Sequence, residues 1–527
     1  MKNKWFLNGC LFSIVIILFF LNFYAETLFY RPLSLHQWRQ ADCLSITKNY
    51  FEEGMHFFSP KIHSLRAPGG KAVSEFPLLN YTVAGLWKIF GEHEFIYRIL
   101  EYIIFLLSVF VLFNTLLRYF TRNLFIFFAM SVLLTSPLLV YYSFNFLSDV
   151  PALSLGIMSF CFTFRFYKTQ SVAYFYFSLL FATLAVLLKA SALFALASLI
   201  FFSLADLLNL NSVLGINRLF NRKVLPFLFI VLSIVSIRAW YAFALDYNTF
   251  NNGFFLLTIM PIWDMKDAEI YDTLRLLFNN LFPAFLNRPM LTLFFLSIVY
   301  VFTNFKKLDV FLRYCLVLSM SFFILYLLIF FKVFDVHDYY LVNLFIFPVV
   351  VIFCLADILS KTAPLPGAYS KVALAILFIL NAFYSAAFYR LRNIRDDKLC
   401  SWYPFISKDE RQFFRYSIWY YERTAKPLET ILPNLRRLGI KRDDVFISVT
   451  DESPNISLYF MDQKGYAFSR DQFASDSLSL EKKMSLGAKY LMLTDTNLKR
   501  ERPFAHVAGR LNSILRKDNL ELFKLKN

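Results

Sequence analysis

The stretch CLFSIVIILFFLNFYAETLF, residues 10–29, is long and apolar enough to cross a bilayer as one helix, and it follows Lys2 and Lys4. No small-residue cleavage site comes after it, because the chain continues Tyr30-Arg31-Pro32, so we expect a retained anchor rather than a signal peptide. Similar runs recur up to residue 390 and predict an α-helical polytopic membrane protein with about eleven transmembrane helices. The runs are 10–29, 97–117, 124–142, 150–165, 171–188, 190–208, 224–244, 290–305, 311–331, 339–359 and 372–389.

The composition excludes a soluble enzyme and a disordered chain. Of the 527 residues 58% are hydrophobic, 20% are aromatic and only 17% are charged, whereas a soluble domain has roughly a quarter charged residues. The net charge of +17 would suggest nucleic acid in a soluble protein. Here the basic residues fall in alternate short loops, for example Arg118, Lys306 and Lys361, so they orient the helices and no nucleic-acid partner is expected. No phosphate-binding Gly-rich loop occurs, which argues against an ATP-driven pump.

The charge density changes near Arg390. Residues 391–527 hold 25 Lys/Arg and 18 Asp/Glu, a far denser set than in the apolar part. We therefore predict a transmembrane domain over 1–390, with long outer loops 30–96 and 245–289, a linker with helices over 391–440, and a small α/β domain over 441–527. Apolar runs at 445–449 and 489–493 predict its strands. This domain is expected outside the membrane, either as a cap without chemistry or as a binding site for the acceptor.

Ionisable and polar residues from five separate stretches are predicted to reach the outer membrane face. Each has a simpler explanation: the two aspartates begin helices, the lysine snorkels from a helix end, and the His-Tyr-Tyr set fits an interfacial aromatic belt. Together they predict a polar, outward-facing site. The residues are Arg39, Gln40, Asp42, Glu75, Asp149, Lys189, His337, Tyr339 and Tyr340.

The order of these motifs resembles the polytopic glycosyltransferases of the GT-C fold, in the branch with protein O-mannosyltransferases and the aminoarabinose transferase of lipid A. The resemblance covers roughly residues 10–390. The matching motifs are Gln37-Trp38-Arg39-Gln40-Ala41-Asp42 with Gly54, Ser74-Glu75-Phe76-Pro77-Leu78 with Trp87, Gly91 and Arg98, Leu147-Ser148-Asp149-Val150-Pro151, Leu187-Leu188-Lys189-Ala190, and His337-Asp338-Tyr339-Tyr340.

The resemblance implies a sugar donor carried on a polyprenyl phosphate and a hydroxyl acceptor on lipid A, another glycan or a protein. It implies that Asp42 is the general base of an inverting transfer. We assign the remaining roles by position. Asp149 orients the acceptor or a basic partner, Lys189 and Arg39 bind the donor phosphate with hydrogen bonds from His337 and Tyr340, and Glu75, Gln40 and Tyr339 contact sugar or acceptor.

Two positions depart from that family. Asp42 is followed by Cys43 where some relatives have an Asp-Glu pair, and Phe76 stands where the lipid A branch has a lysine that binds phosphate. The sequence has no cluster of carboxylates or Cys/His ligands that demands a metal, so no cofactor is predicted and a divalent metal stays open.

The predicted location is the bacterial inner membrane, with the active site and the C-terminal domain facing the periplasm. The alternative is a transporter or lipid flippase, which usually shows internal repeats and charges in mid-helix. No repeat is visible, and Arg238 is the main charge within a predicted helix.

Overall fold

The structure is a computed structural model. It describes the chain except residues 1, 217, 219–223, 252–254, 256–258, 336, 363–366, 394–407, 477 and 527. The described chain forms two compact units. The first contains Met1–Leu28, Arg98–Ala242 and Thr258–Arg390, and the second contains Phe29–Tyr97, Phe243–Leu257 and Leu391–Asn527.

Apolar helices make up the first unit, as the hydropathy pattern predicts. Among the described residues seven helices are long and apolar enough to cross a membrane, or eight if the pair Asp267–Phe285 and Arg288–Thr303, bent by 90°, counts as one span. This confirms an α-helical multi-pass membrane protein, whereas the number eleven stays a prediction. The main helices are Lys2–Leu21, Phe95–Tyr119, Asn123–Leu134, Pro137–Tyr142, Asp149–Thr169, Val172–Leu188, Phe194–Leu207, Val224–Phe250, Asp267–Leu276, Arg288–Thr303, Val310–Ile329, Ile346–Lys361 and Ala368–Asn393.

Several predicted runs are interrupted. The run 10–29 is not one helix, because the helix ends at Leu21, Phe23 adopts a left-handed conformation (φ 57°), and a single turn Tyr24–Thr27 follows. The run 124–142 breaks before Pro137, whose ring cannot continue the preceding helix. The run 339–359 begins as a 3-10 helix, Asp338–Phe345, before it becomes the α-helix.

The interior of the first unit is built on helices that bury polar as well as apolar groups. The stretch Asp338–Lys361 is buried along its most apolar window. Helices Asp149–Thr169 and Val172–Leu188 pack side by side, where Thr163 Oγ1 lies 2.6 Å from Ser178 Oγ. Such hydroxyl contacts are typical of helix pairs in membranes because small side chains allow close approach.

The second unit contains the predicted small α/β domain, and that part of the fold is confirmed. Its five strands are β1 (Phe446–Val449), β2 (Gly465–Phe468), β3 (Tyr490–Leu493), β4 (Leu511–Lys517) and β5 (Leu520–Leu525), in the order β2-β1-β3-β5-β4. Strands β1, β2 and β3 are parallel, and the hairpin β4–β5 is antiparallel. The other main helices of this unit are Gln37–Glu53, Leu78–Phe90, Lys408–Thr424, Leu432–Arg437, Ile456–Met461, Arg470–Ser475, Ser479–Ser485 and Arg502–Val507.

The segment predicted as the first outer loop packs with this domain. Ser64 forms a parallel bridge with Gly465 at the edge of β2, Leu65 N–H donates to the Gly465 carbonyl at 2.7 Å, and Gly465 N–H donates to the His63 carbonyl at 3.1 Å. Residues 29–97 and the C-terminal domain therefore share one compact unit. The domain boundaries stay a prediction, and residues 394–407 of the predicted linker lie outside the described residues.

Candidate active site

Helix Gln37–Glu53 places Asp42 in the interior of the second unit. The helix begins after His36, which is left-handed (φ 55°), and ends at Gly54, whose φ of 100° suits a residue without a side chain. Every residue from Gln40 to Tyr50 is buried, which is unusual for a segment this polar. Its polar groups therefore need partners within the unit.

Asp42 is 3% exposed and accepts a hydrogen bond from Asn455 Nδ2 at 3.2 Å. Burial raises the pKa of Asp42 to about 7, because the charged form loses its hydration. Arg39 and the hydrogen bond from Asn455 oppose this rise, whereas Glu75 and Asp451 add to it. A carboxyl group with a pKa near neutrality can take up and release a proton at physiological pH.

Arg39 and Gln40 already have partners. Arg39 Nη2 donates to Glu75 Oε1 at 2.6 Å, and its guanidinium lies 5.3 Å from the ring centre of Phe255. The Gln40 side chain donates to the carbonyls of Leu33 (2.8 Å) and Leu35 (2.9 Å), so it fixes the chain that leads into the helix. Arg39 and Glu75, which we expected to contact phosphate and sugar, thus form an ion pair with each other, and both act electrostatically on Asp42.

A network of charges supports the same helix from the C-terminal domain. Asp462 accepts from Arg436 (3.0 Å) and Arg442 (3.1 Å), and it lies 3.3 Å from His63 Nε2 and 3.4 Å from Lys48 Nζ. Burial alone would raise the pKa of Asp462, but these cationic partners and His63 hold it well below its usual range. Burial lowers the pKa of His63 to about 4, so this histidine is neutral at physiological pH.

The first unit brings together the other group of predicted residues. Asp149 stands in the first turn of its helix, and Lys189 follows the last residue of helix Val172–Leu188. Lys189 Nζ lies 3.5 Å from Asp149 Oδ2, and their side chains are 12% and 2% exposed. The lysine that we expected near the donor phosphate therefore forms an ion pair with the predicted acceptor-orienting aspartate.

Aromatic residues surround this pair. Lys189 Nζ lies 5.3 Å from the ring centre of Tyr339 and 6.0 Å from that of Tyr340, distances at which a cation is attracted to a ring. The His337 ring centre is 5.2 Å from Tyr339 and 6.1 Å from Tyr340. The predicted meeting of Lys189 with the His337–Tyr340 segment is thus seen in the structure, although the roles of these residues remain predictions.

Sequence reasoning missed several residues of both groups. Asn455 contacts Asp42 across 413 positions of sequence, and no local pattern indicates that contact. Tyr142 donates a hydrogen bond to Asp338, and Glu101 is fully buried where Asp149 and Arg98 act on it electrostatically. The charge of Glu101 within the helix Phe95–Tyr119 was a usable signal, because carboxylates are rare in spanning helices.

Within the described part of the chain no group of three or more His, Cys, Asp or Glu side chains is arranged to hold a metal ion. The groups around Asp42 and around Lys189 belong to different compact units. Chemically, the first offers a buried carboxyl group and the second a partly buried ammonium group with hydroxyl and imidazole neighbours.

Comparison with known proteins finds one matching family and several solved structures with a similar fold. Residues 73–241 match the family described as dolichyl-phosphate-mannose-protein mannosyltransferase. The fold is similar to ArnT from Cupriavidus metallidurans in the apo state (TM-score 0.57, 12% identity) and bound to undecaprenyl phosphate (0.56, 12%), with 98% of both chains covered in each case. It is also similar to the arabinofuranosyltransferase AftD from Mycobacteria (0.53, 11%), with 98% of this chain and 40% of that chain covered. None of the curated protein sequences matches the chain.

The fold and the matched segment define the class: the chain is a multi-pass membrane protein with the GT-C glycosyltransferase fold. Within that class it is similar to the protein O-mannosyltransferases and to ArnT, which confirms the resemblance predicted from its motifs. The structural likeness at 11–12% identity establishes the fold alone, so substrate and roles have to be argued from the residues.

Proposed function

We propose that the protein transfers a sugar from a polyprenyl-phosphate donor to a hydroxyl group of an acceptor, with Asp42 as general base. The observation that carries the proposal is the buried Asp42 carboxyl, whose pKa of about 7 suits proton transfer at neutral pH. The GT-C fold and the matched mannosyltransferase segment support the class of reaction. The class of donor is supported by the likeness to ArnT, one structure of which has undecaprenyl phosphate bound.

In the proposed reaction the acceptor hydroxyl gives its proton to Asp42 while its oxygen attacks the anomeric carbon of the donor. The bond between that carbon and the phosphate oxygen breaks, and the polyprenyl phosphate leaves with the electron pair. Attack from the face opposite the leaving group inverts the anomeric configuration. No nucleotide takes part in this step.

The leaving phosphate needs cationic or hydrogen-bonding partners as its charge develops. We assign this role first to Lys189, with His337 and Tyr340 as hydrogen-bond donors. Arg39 is the second candidate for phosphate, and Glu75, Gln40 and Tyr339 for sugar or acceptor. Lys189 lies 3.5 Å from Asp149. A phosphate that binds to Lys189 would therefore either replace Asp149 as its anionic partner or contact the lysine together with Asp149.

The proposed setting is the bacterial inner membrane, with the acceptor in the periplasm. A lipid, a glycan or a protein hydroxyl would each satisfy the chemistry. A transporter or flippase is the competing function, and it differs in one testable respect, because it needs no base at position 42.

The test compares the glycolipids and glycoproteins of a deletion strain and its parent by mass spectrometry. We expect a sugar modification that is missing from the deletion strain and restored by the wild-type gene. Asp42→Asn should leave it unrestored at equal protein level, since removal of a general base costs about 10²- to 10⁴-fold in rate. Asp264→Asn, a matched change at an exposed aspartate, should restore it.

Two results would contradict the proposal. Full restoration by Asp42→Asn would exclude this residue as the base. A deletion strain that accumulates the unmodified lipid-linked sugar on one side of the membrane, and recovers with Asp42→Asn, would favour the flippase.

A further inference from the structure

We infer that Asn455, from the C-terminal domain, is a positioning residue for Asp42: its amide N–H group fixes one carboxylate oxygen and leaves the other to receive the acceptor proton. This inference rests on the proposed function. It also gives the C-terminal domain a role beyond that of a cap, because the domain completes the surroundings of the base.

The orientation of the Asn455 amide follows from its second partner. Its Oδ1 accepts a hydrogen bond from the backbone N–H of Ser64 at 3.2 Å. A backbone N–H can only donate, so the oxygen must face Ser64 and the NH₂ group must face Asp42 Oδ1, 3.2 Å away. Asn455 is therefore a donor toward the carboxylate, which holds it in one orientation.

Asn455 is itself held rigidly. It is fully buried, and its backbone N–H donates to Ser453 Oγ at 3.2 Å. Ser453 Oγ donates to Asp451 Oδ1 at 2.7 Å, and Asp451 Oδ2 accepts from Ser457 N–H at 2.7 Å. This chain of hydrogen bonds fixes the turn that precedes helix Ile456–Met461, so little freedom remains at the Asn455 side chain.

Asp42 uses one oxygen in this contact. Among the described residues, its side chain accepts a hydrogen bond only from Asn455, and through Oδ1. The other charged groups that act on Asp42 are Arg39 from its own helix, Glu75 from the segment before helix Leu78–Phe90, and Asp451 from the C-terminal domain. An amide donor stabilises the charged carboxylate, so Asn455 also favours the basic form that the reaction requires.

The test variant is Asn455→Asp. It has the same shape and keeps the oxygen that Ser64 needs, but it replaces the amide donor toward Asp42 with a second carboxyl group. We expect the acidic limb of the kcat profile against pH to move up by at least about one pH unit, since the lost hydrogen bond to a charged group is worth about a tenfold change in equilibrium and the neighbouring carboxylate disfavours the charged form further. The KM for the lipid donor should stay unchanged. Asn497→Asp, which adds the same charge at an exposed position of the same domain, should leave the profile as in the wild type.

A second measurement needs no substrate. The carboxyl band of Asp42 can be assigned in infrared difference spectra as the band absent from Asp42→Asn. Its titration can then be compared in full-length wild type and Asn455→Ala, which removes the donor without adding a second carboxyl group. We expect the midpoint to rise by about one pH unit in the variant. Asn455→Asp, in which two neighbouring carboxyl groups titrate together, should move the midpoint in the same direction.

The outcomes are separable. An unchanged midpoint in folded Asn455→Asp or Asn455→Ala protein would overturn the positioning role even if sugar transfer is observed. Absence of sugar transfer by the wild type would refute the proposed function, while the infrared titration would still decide whether Asn455 acts on Asp42. A loss of activity with an unchanged pH profile would point to a purely structural residue and would also count against the inference.

Discussion

Replacement of Asp42 by asparagine should stabilise the protein at alkaline pH while it abolishes sugar transfer. The reason is that the folded state holds the proton of Asp42 far more tightly than the unfolded chain does. Burial raises the pKa of this group from 3.8 to about 7. The difference of about three pH units, at about 1.4 kcal/mol each, makes the charged carboxylate cost about 4 kcal/mol in the folded state.

The sign and the pH window follow from these two values. Well below pH 3.8 the group is protonated in both states and costs nothing. As the pH rises from 4 to 7 only the unfolded chain releases the proton, so wild-type stability falls, and above 7 the full cost is present. Asparagine does not titrate, so the advantage of Asp42→Asn over the wild type should grow by about 2.5 kcal/mol between pH 5 and pH 8.

Thermal unfolding of the purified full-length protein in detergent, at pH 5 and pH 8, measures this difference. The melting temperature of Asp42→Asn should exceed that of the wild type by several degrees at pH 8 and by much less at pH 5. The exposed Asp264→Asn variant should show no such dependence on pH. An equal difference in melting temperature between Asp42→Asn and the wild type at the two pH values would refute the assigned effect of burial. An Asp42→Asn protein less stable than the wild type at pH 8 would refute it more strongly.

Three further predictions concern other parts of the chain. Lys189→Met should reduce the free energy of unfolding by about 3–5 kcal/mol, because the buried Asp149 carboxylate loses its cationic partner. Adding Asp149→Asn to this variant should restore the melting temperature, whereas the KM for the lipid donor should stay impaired. Gly465→Ala should disrupt the parallel sheet, since its Cβ would collide with the backbone carbonyl oxygen of Phe446, whereas Gly509→Ala has open space; limited proteolysis distinguishes them. Reporter fusions after residue 400 should report the periplasm, and a cytoplasmic signal would contradict the predicted topology.

The sequence predicts the parts of this structure that depend on local pattern. Hydropathy locates the apolar helices, and short apolar runs locate the strands of the C-terminal sheet, because both signals lie within a short length of chain. The sequence also predicts that polar residues at the ends of apolar runs lie close together, and the structure shows Lys189 next to both Asp149 and Tyr339. Asp149 and Tyr339 stand near the starts of helices and Lys189 follows the end of one, so the boundaries of the apolar runs were sufficient to predict this grouping.

The pairings between distant segments could not be predicted in the same way. Arg39 was expected to meet phosphate, yet it pairs with Glu75, because a largely buried guanidinium is stabilised by a nearby carboxylate. Asn455 lies in a turn rich in Asp, Ser and Asn, a composition typical of the residues before a helix, so the sequence does not single it out. Its contact with Asp42 depends on the tertiary fold, which no periodicity in a single sequence encodes.

The edge pairing of Ser64 with Gly465 has a consequence for how the protein is made. Asp42 and Asn455 are 413 positions apart, so at about 5–20 residues per second the ribosome needs roughly 20 to 80 seconds between them. During that interval helix Gln37–Glu53 lacks the strand edge, the Asp462 network and the amide that surround it in the finished structure. A nascent chain therefore cannot hold Asp42 in its final environment, and the completed C-terminal domain acts as the last step of assembly for the candidate base.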